Sequence, residues 1–376
     1  MSVRKRKWTT RSGEVKEAWI VDYAQEGHRH IETFKRKKDA DDYANKIGVD
    51  IKSGTHTPLS RSIAVHEAAE DWIKAVELNG RERGTVVMYR QHLGVHILPR
   101  LGSHKLASLT TPKVHAFADG LLADGVSHAM ARKVLTSLKS LIGDAQRRGN
   151  VAQNVALNVR IETPSRGRQL EVGVDIPTPD EIRRLLAAAH SRVRPLLVTA
   201  VFTGLRASEL RGLCWEDVDL KRGELRVRRR ADRYCVIGPP KSKAGQRIIP
   251  LGPVVVNVLR EWRLAQRSTE LVFPTRTGHV EHHTDLTRKL DVVQRTAKLF
   301  NNDSKPKYRM HALRHFYASW CINRRSDGGL ELPAKLVQAR LGHASIVMTL
   351  DRYGHLFPRG DDGAELAAAE SALLGS

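Results

Sequence analysis

The stretch "LGHASIVMTLDRYGHLF", residues 341–357, predicts a helix that carries a tyrosine, Tyr353, not far from a histidine, His343. Its apolar residues predict a packed helix face formed by Ile346, Val347, Met348 and Leu350. A single tyrosine on such a helix is usually a packing residue. Tyr353 therefore gains a chemical role only if other parts of the chain supply partner groups.

Two helical motifs upstream each pair an arginine with a second polar residue. In "TGLRASEL", Arg206 and Glu209 are spaced so that they share one helix face. In "MHALRHFYASWCI", His311 and Arg314 have the same spacing beside apolar residues, where burial costs free energy unless each has a partner. Either pair, taken alone, is more typical of structural residues than of catalytic ones.

A lysine motif lies between these two helices. The segment "PPKSKAGQRIIPL", residues 239–251, predicts a turn between two β-strands, and this turn presents a lysine. Lys243 is the preferred candidate because it stands shortly before the basic Arg247, and Lys241 stays open as the alternative. Taken alone, the motif is typical of a solvated basic loop.

In chain order, these motifs resemble the tyrosine recombinase (phage integrase) family. The wording of "GLRASEL", "HALRH" and "LGHASI…TLDRYGH" is close to that of the family, and the resemblance covers about 178–360. The residues at the family's catalytic positions are Arg206, Lys243, His311, Arg314, His343 and Tyr353, with Glu209 at the acidic position. The resemblance implies a site-specific DNA recombinase that cuts and rejoins strands through a covalent 3′-phosphotyrosine, without a metal or a cofactor.

These residue types suit DNA strand transfer. A phenol has a pKa near ~10, so Tyr353 needs a base or a neighbouring cation before it attacks a phosphate. Two arginines suit the non-bridging phosphate oxygens, because each guanidinium can bind them in a bidentate way. The resemblance implies that His311 accepts the phenolic proton or holds the phosphate, and that His343 positions the phosphate. The lysine would protonate the leaving 5′-hydroxyl.

The composition agrees with a nucleic-acid partner. The 376 residues carry a formal net charge of +22, which implies a polyanionic partner, and we expect double-stranded DNA. The three cysteines are widely separated, which argues against a zinc finger or a disulfide framework and suits a reducing cytoplasm. The chain shows neither a signal peptide nor an apolar run near the roughly 18 residues of a membrane span. We therefore expect a cytoplasmic protein of the host nucleoid, with no membrane partner.

The pattern along the chain predicts a mainly α fold with small β elements and three domains. The predicted domains are a β-sheet-plus-helix domain at 1–56, an all-α SAM-like domain at 63–160 and a mixed, mostly-α catalytic domain at 174–376. The first resembles an arm-type DNA-binding domain, and the second resembles a core-binding domain.

Local signals support this division. Polar linkers are predicted at 52–62 and 162–177, and a hairpin turn is predicted at Glu26 and Gly27. Thr178 is a predicted N-cap, with Glu181 placed to complete a capping box.

The resemblance leaves some alternatives open. It implies an integrase that works as a homotetramer on core and arm attachment sites of a phage or mobile element, with an excisionase and a DNA-bending host factor as further partners. A resolvase or transposon recombinase with the same core, a type IB topoisomerase-like enzyme and an inactive DNA-binding regulator are the alternatives. A short helix is expected at 364–374. It would dock either on a neighbouring protomer or on its own domain.

Overall fold

The computed structural model describes residues 1–10, 13–25, 28–54, 56–59, 62–162, 169–266, 269–358 and 363–375. The chain divides into two compact units, 1–166 and 167–376. The predicted turn at Glu26 and Gly27, and parts of both predicted linkers, lie outside the described residues. The three domain boundaries stay a prediction.

The first unit opens with an antiparallel sheet that packs on one helix. The strands, in spatial order, are β1 (Ser2–Thr9), β2 (Val15–Gln25) and β3 (His28–Phe34), and the helix is α1 (Lys37–Lys52). A small apolar cluster joins the central strand to the helix through Val21, Tyr23, Ala40, Ala44 and Ile47. The edge strand β1 exposes basic side chains to solvent, namely Arg4, Lys5, Arg6 and Lys7. Charged residues on an edge strand discourage pairing with other chains, and they can also face a polyanion.

The rest of the first unit is helical and has its own core. Its helices are α2 (Val65–Leu78), α3 (Arg83–His92), α4 (Leu98–Leu101), α5 (Thr111–Ala123) and α6 (His128–Arg147). A π-helical turn, Leu93–Ile97, connects α3 to α4. The core gathers one face of each long helix around Trp72, Phe117 and Leu138, as the amphipathic pattern predicts.

The second unit is mainly helical and contains two small sheets. Its helices are α7 (Pro179–Ala188), α8 (Val193–Thr203), α9 (Ala207–Arg211), α10 (Pro253–Ala265), α11 (His283–Thr296), α12 (Met310–Ile322), α13 (Ala334–Leu341), α14 (Ile346–Tyr353) and α15 (Gly363–Leu374). Its strands are β4 (Val218–Asp219), β5 (Glu224–Val227), β6 (Arg230–Ala231), β7 (Ile237–Gly238) and β8 (Arg247–Pro250). The first sheet has the order β4-β5-β8, and β6 pairs with β7. The predicted fold class is confirmed.

Helix starts in this unit follow the sequence signals. The Thr178 hydroxyl accepts a hydrogen bond from the Glu181 backbone N–H at 3.2 Å, and the Glu181 carboxylate accepts one from the Thr178 N–H at 2.8 Å. This is the reciprocal arrangement of a capping box, and the prediction is confirmed. The Glu181 carboxylate also contacts Lys307 and Tyr308, so it ties α7 to the chain that precedes α12.

Two buried helices, α8 and α12, form the centre of the second unit and bring distant motifs together. Gly204 ends α8 with a left-handed φ of 60°, and a Cβ added there would lie 2.3 Å from the Tyr317 ring of α12. Only glycine permits both this backbone conformation and this close approach. The chain that leaves α8 toward Arg206 therefore runs directly against α12.

Helix α14 differs from its predicted packing. Val347, Met348 and Leu350 are 58%, 50% and 45% exposed, and the buried residues are Thr349 and Tyr353. The prediction of an apolar packed face was wrong. The buried stripe pairs a hydroxyl and a phenol one turn apart. The Tyr353 ring packs in an apolar cluster with Val337 and Leu341, and the Thr349 hydroxyl hydrogen-bonds to His343.

Candidate active site

The tyrosine at the end of α14 is buried and hydrogen-bonded. Tyr353 is 1% exposed, and a hydrogen bond of 2.7 Å joins its Oη to Nδ1 of His315 on α12. Burial raises the pKa of the phenol above its ordinary value, and the charges of Arg314 and Arg352 oppose that rise only in part. The tyrosine in this conformation is therefore a neutral phenol.

His343 lies beside the tyrosine and is fixed by two neighbours. Gly342 ends α13 with a φ of 64°, which turns the chain so that the His343 ring lies parallel to the Tyr353 ring at 6.3 Å. A 2.9 Å hydrogen bond joins Nδ1 of His343 to the hydroxyl of Thr349, so Nε2 is the ring nitrogen left for a ligand. The Gln338 amide also donates to the His343 carbonyl at 3.0 Å.

Burial and the nearby guanidinium charges keep His343 neutral. Its desolvation, together with the charges of Arg314, Arg206 and Arg247, lowers its pKa to about 4. A neutral imidazole bonded through Nδ1 can donate a hydrogen bond from Nε2 when the Thr349 hydroxyl donates to Nδ1. His343 can therefore serve as a donor to a phosphate oxygen without carrying a charge.

Arg206 is the N-cap residue that precedes α9, and it is held by the carboxylate three residues later. Its Nη1 donates to Glu209 at 2.7 Å, its backbone N–H donates to the same carboxylate at 2.9 Å, and its Nη2 donates to the Gly342 carbonyl at 3.3 Å. The side chain is still 36% exposed, so the guanidinium can contact an incoming anion. The predicted pairing of Arg206 with Glu209 is confirmed by this geometry.

Arg314 is buried more deeply than Arg206 and bridges two backbone segments. Its Nη1 donates to the Gly204 carbonyl at 2.7 Å, and its Nη2 donates to the Leu341 carbonyl. Burial and the charges of Arg206 and Arg247 lower its pKa to about 9, which still leaves the guanidinium charged at neutral pH. Arg314 therefore ties the end of α8 to the end of α13 and brings a positive charge between them.

The two histidines of α12 differ in their relation to the tyrosine. His311 lies on the exposed side of the helix, and its ring meets the His315 ring edge-on at 4.6 Å. Desolvation and neighbouring positive charges, with Arg314 the largest of them, lower its pKa to about 4. The side chain that touches the phenol is His315, which the sequence analysis did not select.

A signal for His315 was present in the sequence. It is the last residue of "HALRH", one helical turn after His311, and residues at this spacing lie on one helix face. Burial, followed by the charges of His311, Arg352 and Arg314, lowers its pKa to about 3, with Asp175 acting in the opposite direction. His315 is therefore a neutral hydrogen-bond partner of the phenol.

The turn that carries Lys243 packs against Gly342, next to His343. Strand β5 pairs with β8, and the chain between them ends in a 3-10 turn, Lys243–Gly245, which exposes the Lys243 side chain. Lys241 is also exposed, and the choice of Lys243 stays a prediction. A Cβ added to Gly342 would lie 2.8 Å from the Ala244 carbonyl, so the turn touches the segment that carries His343.

The described residues, which leave out short segments such as 163–168, contain no cluster of three or more His, Cys, Asp or Glu suited to a metal ion. Across the same part of the chain, no helix is long and apolar enough to cross a membrane. His355, to which the sequence assigns no role, hydrogen-bonds to the Leu170 carbonyl at 2.7 Å through its Nε2.

Sequence comparison relates the chain to DNA recombinases. Residues 177–359 match the phage integrase family. The tyrosine recombinase XerC-like protein of Caldanaerobacter subterraneus is 25% identical over 354 residues, covering 86% of this chain and 87% of that protein. The ICEBs1 integrase of Bacillus subtilis is 24% identical over 273 residues, covering 70% and 71% of the two chains.

Structural comparison gives the same fold. The Tn1549 transposon integrase, solved in complex with a circular intermediate DNA, superposes with a TM-score of 0.66 at 19% identity, covering 83% of this chain and all of that one. A lambda integrase dimer bound to a core site superposes with a TM-score of 0.60 at 19% identity, covering 95% of each chain. Residues 177–359, whose motifs gather around one buried tyrosine, therefore form a domain of the phage integrase family.

Proposed function

We propose that this recombinase integrates and excises a phage or other mobile element, and that Tyr353 is the nucleophile that forms the 3′-phosphotyrosine. The observation that carries the proposal is the gathering of Arg206, Arg314 and His343 around one tyrosine. Two adjacent main-chain carbonyls accept hydrogen bonds from the guanidinium groups. The Gly342 carbonyl accepts from Arg206, and the Leu341 carbonyl accepts from Arg314. An anion that binds beside these two carbonyls meets two guanidinium groups and a neutral imidazole donor.

The two arginines would bind the non-bridging oxygens of the scissile phosphate. Their positions are set by carbonyl and carboxylate partners before DNA arrives, so little reorganisation is needed when negative charge develops in the transition state. Arg206 is the more exposed of the two and would make the first contact with the phosphate. His343 would donate from Nε2 to a non-bridging oxygen of the same phosphate, because Thr349 holds its Nδ1.

The nucleophile needs activation that the DNA-free protein lacks. A buried phenol whose pKa is raised, next to a histidine whose pKa is lowered to about 3, does not readily pass its proton to that histidine. The phosphate brings negative charge close to His311 and His315, which favours their protonated forms. We propose that DNA entry makes one of these two histidines a competent base, with His311 the member that the family resemblance implies.

The expected partners are core and arm attachment sites on double-stranded DNA, a homotetramer of this chain, an excisionase and a DNA-bending host factor. The exposed basic side chains of β1 support an arm-binding role for the first sheet. The described side chains of α15 are exposed, including Leu366, Leu373 and Leu374, which favours docking on a neighbouring protomer over packing on its own domain. Phosphate contacts would dominate binding, so affinity should fall steeply with salt.

Trapping on a nicked suicide substrate tests the nucleophile. Wild-type protein should form a covalent protein–DNA adduct in the presence of EDTA, and Tyr353→Phe should form none while binding the same DNA. Tyr317→Phe, which removes another buried hydroxyl of the second unit, is the matched control and should keep adduct formation. An adduct with Tyr353→Phe, or loss of the wild-type adduct in EDTA, would falsify the proposal.

Truncation tests the arm-binding assignment separately. Removal of residues 1–60 should weaken binding to arm-site DNA and leave cleavage at the core site in place. Binding of arm-site DNA at wild-type affinity after this truncation would contradict the assignment.

A further inference from the structure

The side chain of Arg247, at the start of β8, is almost completely buried, although the sequence assigns it no role in the site. Its side chain is 5% exposed. Burying a guanidinium costs several kcal/mol unless its N–H groups find partners, so a buried arginine needs a full set of acceptors. The acceptors around Arg247 come from three separate parts of the site.

The first acceptor is the carboxylate that also holds Arg206. Nη2 of Arg247 donates to one oxygen of Glu209 at 2.8 Å, and Nη1 donates to the other at 3.2 Å. Burial alone would raise the pKa of Glu209, but hydrogen bonds and charge from Arg247, aided by Arg206, lower it to about 2. Glu209 therefore stays ionised and links the two arginines.

The other acceptors are backbone carbonyls on either side of the pocket. Nε of Arg247 donates to the Arg340 carbonyl at 2.7 Å, near the end of the helix that precedes His343. Nη1 donates to the Gly245 carbonyl at 3.0 Å, inside the turn that carries Lys243. One side chain thus joins the lysine turn to the arginine and histidine segments.

Gly342 allows Arg247 and the lysine turn to pack closely against the segment that carries His343. A Cβ at Gly342 would lie 3.0 Å from Cδ and from Nη1 of Arg247, in addition to its clash with the Ala244 carbonyl. The glycine therefore serves two purposes, because it also adopts the left-handed conformation that ends α13. Gly342 and Arg247 therefore both lie where the lysine turn packs against the pocket.

We propose that Arg247 is a positioning residue for the strand-cleavage reaction, holding the Lys243 turn against the Arg206–His343 pocket so that the lysine ammonium reaches the leaving oxygen. This inference rests on the proposed function. In the step concerned, the phenolic proton passes to His311 or His315, the Tyr353 Oη–P bond forms as the P–O5′ bond breaks, and a proton of the lysine ammonium goes to the 5′-oxygen. Arg247 touches neither the DNA nor the reacting atoms, and it acts through the turn.

A sulfur-substituted substrate separates this role from a general loss of structure. When the bridging 5′-oxygen of the scissile phosphate is replaced by sulfur, the leaving group is a thiolate with a pKa near ~8.5 that needs no proton. A variant defective only in delivering the proton regains its rate on this substrate. A variant defective in phosphate binding or in folding does not.

The experiment measures single-turnover adduct formation by the full-length protein on nicked DNA with oxygen or sulfur at the bridging position. Lys243→Ala should lose about 10²-fold or more with oxygen, the range of a general acid, and return to within about fivefold of wild type with sulfur. Arg247→Lys should follow the same pattern with a smaller oxygen defect, because lysine retains a cation for Glu209 but lacks the fork that reaches both carbonyls. Arg260→Lys, on the exposed side of α10, is the matched control and should match wild type on both substrates.

Equal losses on the two substrates for Arg247→Lys, or a wild-type rate with oxygen, would overturn the proposal. Failure of the proposed function would look different, because Tyr353→Phe would then form an adduct or wild type would form none with either substrate.

Discussion

The arginine side and the tyrosine side of the pocket differ in how ready they are for chemistry. On the arginine side, Arg206, Arg314 and Arg247 are held by main-chain carbonyls and by Glu209, so their charges are fixed before any ligand binds. On the tyrosine side, the Tyr353 phenol is buried, neutral and bonded to His315. The arginine side, which we propose binds the phosphate, is preorganised, whereas the proposed nucleophile is still a neutral phenol before DNA binds.

This difference follows from the cost of each arrangement. A guanidinium keeps its charge at neutral pH, so a fixed set of acceptors can hold it permanently. A phenolate is stable only beside cations and away from a low-dielectric surrounding, so it is better formed when DNA is present. A recombinase that kept an ionised tyrosine exposed would react with any phosphate that reached it. The comparison suggests that the protein controls cleavage through the tyrosine side.

The largest expected effect comes from breaking the arginine side. Arg314→Met removes a buried charge and leaves the Gly204 and Leu341 carbonyls without their donor. Adduct formation should fall by about 10³-fold or more, because one preorganised donor to the developing charge is worth roughly 10²–10³ and the pocket also loses its bridge. Single-turnover cleavage measures the rate, and a DNA-binding assay on the same sample serves as the control for folding. A loss of adduct formation smaller than tenfold would contradict the conclusion that the arginine side is preorganised for phosphate.

The second-largest effect is expected from acid, which should lower the unfolding free energy of the DNA-free protein through the histidines beside Tyr353. His343 and His315 have folded pKa values of about 4 and 3, below the ordinary 6.5, so the unfolded chain binds more protons as pH falls from 6.5. Stability is therefore fully present above about pH 6.5 and is lost toward pH 4, by roughly 2–3 kcal/mol per buried histidine at pH 4.5. Denaturant unfolding at a series of pH values measures this loss. His315→Asn should make the pH dependence of the unfolding free energy shallower. An unchanged pH dependence would contradict the conclusion that His315 is buried in its neutral form.

A smaller effect is expected from loss of the hydrogen bond between His315 and Tyr353, the proposed nucleophile. His315→Leu leaves the buried Tyr353 hydroxyl without a partner, which should cost about 1–3 kcal/mol of unfolding free energy. His315→Asn places an amide group where Nδ1 was and should recover most of that loss. Equal stability of the two variants would contradict the importance of this bond.

Much of the arginine side could be predicted from the sequence because its geometry is local. Arg206 with Glu209 lies within one helical turn, and spacing alone implies the contact that the structure shows. Arg314 was found through its motif, although its two carbonyl partners are 110 and 27 residues away along the chain. No local pattern predicts such partners, since they depend on how α8, α12 and α13 pack.

The tyrosine side was harder to predict for the same physical reason. The apolar residues of α14 favour a buried face by composition, whereas the structure buries Thr349 and Tyr353 and exposes Val347, Met348 and Leu350. Hydrophobic periodicity assumes that the most apolar face of a helix is the buried one. In α14 the buried residues are instead Tyr353, which packs in an apolar cluster, and Thr349, which hydrogen-bonds to His343. The role of Arg247 was missed because its partners come from three segments that only the folded chain brings together.

The smallest expected effect concerns the exposed apolar residues on the tyrosine side. Met348→Ser and Leu350→Ser should change the unfolding free energy of the isolated protein by less than about 0.5 kcal/mol, because exposed side chains away from special features contribute little. Val337→Ser, at a fully buried position of α13, is the contrasting control and should be strongly destabilising. If this exposed face packs against another copy of the chain during synapsis, the serine variants should cut a single site normally yet assemble poorly on paired sites. A large loss of stability in the isolated protein would instead place these side chains in its own core, and the contrast between the two sides of the pocket would then need a different explanation.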